Sequence, residues 1–361
     1  MPLQYTNPQG ASATFSKAQA NKTAINYEQF LMTRRSDYAL HSIDSQAIMA
    51  SANDDGSFVR GLKNDLDSLR RTAIRSLARS LFRGGTGSIG QVNATVTGTT
   101  LTLTNVRDIV NFEKGMVIQF AATDGGTLRD SGEEITIVSV DRGAGSMVVL
   151  SAAGGSGLTH ISALAENDYI VRSGDNALVF EGLRSWIPST VAATSFYGVD
   201  RTADSTRLGG LRLDASAMSI EEGLIQAAAE VQSVGGMPDM VWMNPIRVSD
   251  LIKELGDRRR YSDVKSADGN FGFKALTLAT PAGEVNVASD QNCQINVAWM
   301  LQSDTWELKT LGDVAQLLSE DGNQFLREST SDSYEIRIGT YGNTICTAPG
   351  WNIAITLPTA T

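Results

Sequence analysis

The sequence is poor in the residues that do chemistry. Its 361 positions hold two histidines, His41 and His160, and two cysteines, Cys293 and Cys346. So few histidines exclude a zinc centre that needs two or three of them alongside any other histidine-dependent site. The cysteines lie far apart with no C-x-x-C spacing, so they close one disulfide at most and no disulfide framework holds the fold. No run approaches the roughly 18 apolar residues of a membrane span. The opening Met-Pro-Leu-Gln-Tyr-Thr-Asn-Pro lacks the basic start and apolar centre of a signal peptide. A soluble chain made in the cytoplasm is expected, with no membrane partner. Positive charge is short as well: 30 Lys+Arg face 40 Asp+Glu, for a formal charge of −10. That argues against a protein wholly dedicated to gripping nucleic acid, whose footprint is net basic, and leaves local basic patches open.

The motifs of catalysis and cofactor binding are missing too. There is no G-x-x-x-x-G-K-[ST] loop and no G-x-S-x-G elbow. Gly85-Thr86-Gly87-Ser88-Ile89-Gly90 spells G-x-G-x-x-G, but a dinucleotide site needs a strand before the glycines and a helix after them. Here a helix precedes and strands follow, so the run reads as a flexible hinge. His41 sits in a strand-like run and His160 in a Gly/Ser-rich loop, both better explained as sheet or surface residues than as bases. Asn53-Asp54-Asp55-Gly56 lacks the spacing of a calcium loop and fits a helix N-terminus. No enzyme, cofactor or metal is expected.

What is present is organisation. With 34 glycines, 42% hydrophobic and 19% charged residues, the chain is globular and turn-rich, and its length predicts two or three domains. Residues 1–26 are small and polar, an extended arm without a core of its own. Strands or a hairpin follow over 27–48. Then apolar residues recur at Phe58, Leu62, Leu66, Leu69, Ala73, Leu77 and Leu81, one stripe of a helix about seven turns long, capped by Asp55 or Ser57 and ended by Gly84-Gly85. From 88 to 172 the pattern turns to short β-type runs between glycines, predicting an inserted antiparallel sandwich or small barrel. Beyond it the chain is mixed. Ser219-Ile220-Glu221-Glu222 opens a helix to about Val234, Asp239–Trp242 reads as a buried strand, Asn244-Pro245 starts a helix, and Tyr334–Tyr341 and Ile353–Leu357 are strands. The whole is α+β with an all-β insertion.

Charge is segregated along the chain. Residues 1–86 carry 11 Lys+Arg against 7 Asp+Glu, so +4, and the remainder −14. The long helix holds an i, i+4 ladder of Arg71, Arg75, Arg79 and Arg83, which faces phosphates, is a solvated helix face, or pairs with carboxylates of a neighbouring subunit. Arg258-Arg259-Arg260 follow a helix end, whose negative terminus they complement, and offer an inter-subunit contact.

The order of these elements resembles major capsid proteins of tailed bacteriophages, the Hong Kong 97-like fold. The residues that carry it are Asp37-Tyr38-Ala39-Leu40-His41-Ser42-Ile43-Asp44, Ala50-Ser51-Ala52-Asn53-Asp54-Asp55-Gly56-Ser57-Phe58-Val59, Met243-Asn244-Pro245, Gly256-Asp257-Arg258-Arg259-Arg260-Tyr261, Tyr334–Asn343 and Ala348-Pro349-Gly350. The resemblance implies an N-arm (1–26), an E-loop region (27–56), a P-domain spine helix (57–87), the inserted β domain (88–172), a P-domain continuation (173–234), an A domain (235–330) and terminal strands returning to the P domain (331–361). It implies hexamers and pentamers assembled into an icosahedral head around double-stranded DNA held without sequence preference. Arg34, Arg35 and Tyr38 would be E-loop contacts. The implied partners are other copies of the chain, a separate scaffolding protein, a portal and, as an option, a decoration protein. The implied location is the virion, assembled in the bacterial cytoplasm, with ordinary noncovalent cohesion rather than crosslinks through Lys17 or Lys22. The alternatives are an encapsulin-like compartment around protein cargo and, from another class, a β-rich carbohydrate-binding protein or hydrolase using 88–172.

Overall fold

The computed structural model describes residues 2–45, 55–93, 98–151, 158, 161, 164–255, 276–319, 322, 323 and 325–359. The chain divides into two compact units, one of residues 34–182 and 308–344, the other of 1–33, 183–307 and 345–361.

The arm is not the extended tail its composition predicts. β1 (Pro2–Gln4) and β2 (Tyr27–Gln29) pair antiparallel, Leu3 opposite Glu28, with the six-residue helix α1 (Phe15–Ala20) between them. Two apolar anchors account for this: Leu3 is buried, and Phe30 packs edge-on to Trp186 at 5.1 Å between ring centroids. Among the described side chains between those anchors none is buried, and α1 buries none of its own.

β3 (Arg35–Asp44) leads to the long helix α2 (Asp55–Phe82), which ends where Gly84 begins the hinge. The side chains of its predicted caps, Asp55 and Ser57, lie outside the described residues. Leu69 and Ala73 pack with Ala39 of β3 and with Ile336 and Ile338, so one face of the helix lies against a sheet.

After the hinge come β4 (Ser88–Gln91), β5 (Thr100–Thr102), β6 (Val117–Ala121), β7 (Ile135–Asp141), β8 (Ser146–Ser151) and β9 (Tyr169–Arg172). They form one antiparallel sheet in the order β4-β9-β6-β7-β8-β5. A bridge between Val92 and Leu103, with Asn93 N–H on the Thr102 carbonyl at 3.0 Å, joins its two ends into a barrel. Alternation fills the interior with Ile118, Phe120, Ile135, Ile137, Met147, Val149 and Ile170, and closure leaves no free edge to aggregate. A 3-10 turn, Val106–Asn111, contributes Ile109 to this core, followed by Phe112.

Past the barrel run β10 (Leu211–Asp214), α3 (Ile220–Ser233), β11 (Met240–Met243), α4 (Pro245–Leu255), β12 (Leu276–Thr280), β13 (Gly283–Ser289) and β14 (Val297–Leu301). The chain finishes with β15 (Trp306–Thr310), β16 (Gln316–Leu317), β17 (Leu326–Arg327), β18 (Ser333–Cys346) and β19 (Ile353–Thr356). A mixed sheet in the order β10-β19-β14-β11-β13-β12 packs against α3 and α4 around Leu224, Ala228, Val241, Leu251, Met300 and Ile355. Ser219 caps α3 as predicted, accepting from Glu222 N–H at 3.2 Å, and Glu254 of α4 supplies a second acceptor to Ile220 N–H at 3.0 Å. The last strand departs from expectation. β19 pairs with β10 and β14, while β18 pairs with β3 along all ten residues of β3, because the turn at Pro349-Gly350 separates the two terminal strands.

The corner of the β3–β18 ladder is fixed by one carboxylate. Glu328 accepts from the hydroxyls of Ser42 on β3, Ser331, and Ser333 on β18, the last at 2.8 Å. Hydrogen bonds to its charged form, that of Ser331 first, lower its pKa from 4.5 to about 2. A depressed carboxylate stabilises the fold above its unfolded pKa and loses that contribution as pH falls through the folded value. Between pH 4.5 and about 2, Glu328→Gln should therefore flatten the acid limb of the stability curve, read as thermal midpoint against pH, and leave its shape at neutral pH unchanged.

Candidate functional site

The arginine ladder of α2 and the outward faces of β3 and the arm are the parts of the molecule that bear on function. An i, i+4 repeat puts Arg71, Arg75, Arg79 and Arg83 on one stripe. At about 100° per residue, Arg79 and Arg83 lie roughly 80–120° and 40–80° from Leu69 and Ala73, so the helix turns adjacent faces to the sheet and to the barrel. Exposure falls along the ladder, from open Arg71 through half-buried Arg75 to Arg79 and Arg83, each 8% exposed.

Three of the four end on the 3-10 turn of the barrel. Arg75 donates to the Val110 carbonyl and pairs with Glu113 at 2.9 Å. Arg79 donates to the Asn111 carbonyl at 2.7 Å. Arg83 pairs with Asp108 at 2.9 Å and donates to the Ser88 carbonyl at 3.1 Å. Carbonyls at the end of a helical turn carry partial negative charge, and guanidinium forks suit them. Arg172 of β9 completes the seam, bonding Asp175 at 2.7 Å, Asp37 of β3 at 3.2 Å and Ser76 of α2 at 3.0 Å. Burial, with the charges of Arg172, Arg75 and Arg83, brings the Arg79 pKa down to about 10, so it remains a cation at neutral pH. Burial also raises the Asp175 pKa against the pull of Arg172.

The hinge is packed rather than flexible. A Cβ on Gly85 would stand 2.3 Å from the Glu181 carboxylate, which accepts from Gly85 N–H at 3.0 Å. Gly87 has φ +82° and lies against the Asp175 carbonyl.

The E-loop candidates are divided. Arg35 pairs with Glu181 at 3.3 Å. Arg34 stacks over the Tyr341 ring at 5.7 Å, and Tyr38 meets that ring edge-on, remaining 51% exposed. His41 lies on β3 with Nε2 3.8 Å from exposed Asp65. Arg258, Arg259, Arg260 and His160 lie outside the described residues. Among the described residues no three His, Cys, Asp or Glu side chains gather as a metal site, and no helix is long and apolar enough to cross a membrane. The residues that sequence reading did not single out are the acceptors Asp108, Asn111 and Glu113 and the barrel's Arg172. Asn105, which caps the 3-10 turn, was the available signal.

Residues 162–329 match the family model described as SU10 major capsid protein. In structure the chain resembles the capsid asymmetric unit of cyanophage A-1(L), at 10% identity and a TM-score of 0.55 over 99% of this chain and 86% of that one. The family match covers 168 of the 361 residues, under half of the chain, and the structural likeness is one of fold. A Mycobacterium phage Ogopogo chain aligns over 99% of this chain and 86% of its own at 8% identity and a TM-score of 0.43. A virus-like particle chain from Pyrococcus furiosus aligns over only 40% of this chain and 54% of its own, at 14% identity and a TM-score of 0.27. No curated sequence matches. The capsid-like fold carries the barrel as a β domain.

The seam between α2 and the barrel is held by ion pairs rather than by apolar contact alone, and that is measurable. Asp108→Ala leaves Arg83 buried without its carboxylate and should cost about 3 kcal/mol in chemical denaturation. Arg71→Gln, at an exposed position, should stay within about 0.5 kcal/mol. Equal, small effects would mean the seam is not held by its charges.

Proposed function

We propose that this chain is a tailed-phage major capsid protein that assembles as hexamers and pentamers into an icosahedral head confining double-stranded DNA, inside a bacterial host. The observation that carries this is the arm. α1 buries no side chain and Phe15 is 83% exposed, an apolar group that a free subunit has no reason to present to water. Tyr38 and exposed Leu40 stand on the same face of β3 and add to it. Both surfaces belong to the regions read as N-arm and E-loop, whose apolar contacts are completed by neighbouring copies. On this reading α2 is the P-domain spine, the barrel is the inserted domain, and residues 235–330 supply the A domain. The scaffolding protein, the portal and a decoration protein are partners of the assembled shell rather than of the free chain.

Packaged DNA needs confinement rather than tight gripping, which a net-acidic subunit allows. Of the ladder, Arg71 stands open to a phosphate or a neighbour, and Arg258, Arg259 and Arg260 are proposed as inter-subunit contacts.

Expression of the full chain with its scaffold, sizing and negative-stain microscopy should give closed shells, and nuclease-treated particles should retain DNA when packaging is reconstituted. Persistent monomers would sink the shell reading, and particles loaded with protein cargo would favour the compartment. Phe15→Ser should leave subunit stability within about 0.5 kcal/mol while lowering the yield of shells several-fold on the sizing column. Unchanged yield would remove the arm from assembly.

A further inference from the structure

Beside the arm runs an open groove of about 460 Å³, within the size range of sites that take in a small ligand or a side chain with its neighbours. Leu3 and Asn7 of the arm form one side, with Val234 at the end of α3 and Trp351 in the last turn opposite. Two apolar side chains are left in water there, Val234 at 41% and Trp351 at 40% exposure. Gly236 lets the backbone of Trp351 come close, since a Cβ there would stand 3.0 Å from the Trp351 Cβ, so the indole is held at a fixed place. Arg207 on the rim is already committed, donating to the Tyr5 carbonyl at 2.6 Å with Asp204 at 3.7 Å. The groove therefore suits an apolar group rather than an anion.

The same chain carries an apolar group without a seat. Phe15 opens α1 and is 83% exposed, so it does not fill the groove of its own chain. Charge points the same way. Residues 1–26 hold Lys17 and Lys22 and no Asp or Glu. α3 holds Glu221, Glu222 and Glu230 and no Lys or Arg. Glu230 precedes Val234 by four residues, which puts it on the same stripe of the helix, one turn from the groove. The negative end of α3 adds to it, with no basic side chain in the last turn to offset it.

We propose that the groove at Val234 and Trp351 receives Phe15 of a second copy, with that copy's Lys17 and Lys22 lying toward Glu230 and the end of α3. The contact is heterologous. Each copy offers an arm and a groove, so the contact repeats from copy to copy and closes as a ring where the rotation allows. Leu3 makes one wall, so the start of each arm completes the seat for α1 of the next. The inference rests on the arm being an assembly element and adds the place where it docks.

The test uses the full chain carrying Phe15→p-benzoylphenylalanine, a photo-crosslinking side chain, mixed in equal parts with isotope-labelled parent chain. It is irradiated in concentrated solution and under assembly conditions, and the joined peptides are mapped by mass spectrometry. Crosslinks should run from position 15 of one copy to residues 231–237 or 345–352 of another. Glu230→Lys, at the surface, and Trp351→Ala should each lower the yield of that crosslink several-fold. Crosslinks to another segment while shells form overturn the docking site and leave the shell reading standing. Crosslinks to the groove in samples that never yield shells uphold the docking and count against the shell. Crosslinks confined to one copy, no crosslink at all, or yields unchanged in both variants overturn the proposal.

Discussion

A guanidinium group buried against a helix must find acceptors, because it carries five N–H donors and a charge it cannot lose. α2 buries two such groups fully and a third in part, and the rest of its unit is arranged to receive them. The barrel offers a 3-10 turn, Val106–Asn111, whose last carbonyls and nearby carboxylates face the ladder. On an adjacent face the Leu69–Ala73 stripe meets Ala39, Ile336 and Ile338. A helix held by charge on one face and by packing on another has one orientation available, since neither set of contacts survives a rotation by a fraction of a turn.

The other unit follows the same rule with an uncharged group. Asn352 is fully buried and spends its whole side chain. Its oxygen accepts from Gln302 N–H at 2.9 Å and Trp306 Nε1 at 2.8 Å, and its amide donates to the Ala348 carbonyl at 2.8 Å and the Thr305 hydroxyl at 3.1 Å. That residue fastens the end of β14 to the turn before β19, which is why the short turn at Pro349-Gly350 can redirect the chain so sharply. Buried polar groups fix a unique arrangement only when fully satisfied, and Asn352 is.

Much of this was legible in the residue pattern, and the reason is local. The stripe from Leu66 to Leu77, the Ser219 cap, Asn244-Pro245 and the alternation of Tyr334–Tyr341 are set by neighbours a few positions away, and the elements they predict are all present. The barrel was visible as a rhythm of short strands, but its closure depends on Val92 meeting Leu103 and could not be read from either segment. The arm was misread because two anchors, Leu3 and Phe30, outweigh the polar stretch between them. The hinge was misread because the glycines of 85–90 suggest freedom, whereas Gly85 is there to let Glu181 approach. For the ladder, spacing showed that four arginines share a stripe but not what the stripe faces. That answer lay in Asp108, Asn111 and Glu113, some 25–40 positions on, in a segment that looks like ordinary β sequence.

The same long-range pairing changes what the charge distribution means. A +4 segment followed by −14 suggests a molecule with one basic and one acidic side. In the folded chain three basic residues of the first segment pair with acids of the second. Arg35 goes to Glu181, Arg75 to Glu113 and Arg83 to Asp108. Segregation along the sequence is therefore a record of which distant parts must meet, as opposite charges placed in separate segments favour contact between those segments over contact within either. A basic surface for DNA would have to be made from what this pairing leaves over, such as exposed Lys63, Arg70 and Arg71 on α2. Its strength would then come from the number of copies in the shell, since a weak phosphate contact repeated over many subunits sums to a large, salt-sensitive hold without any strong site.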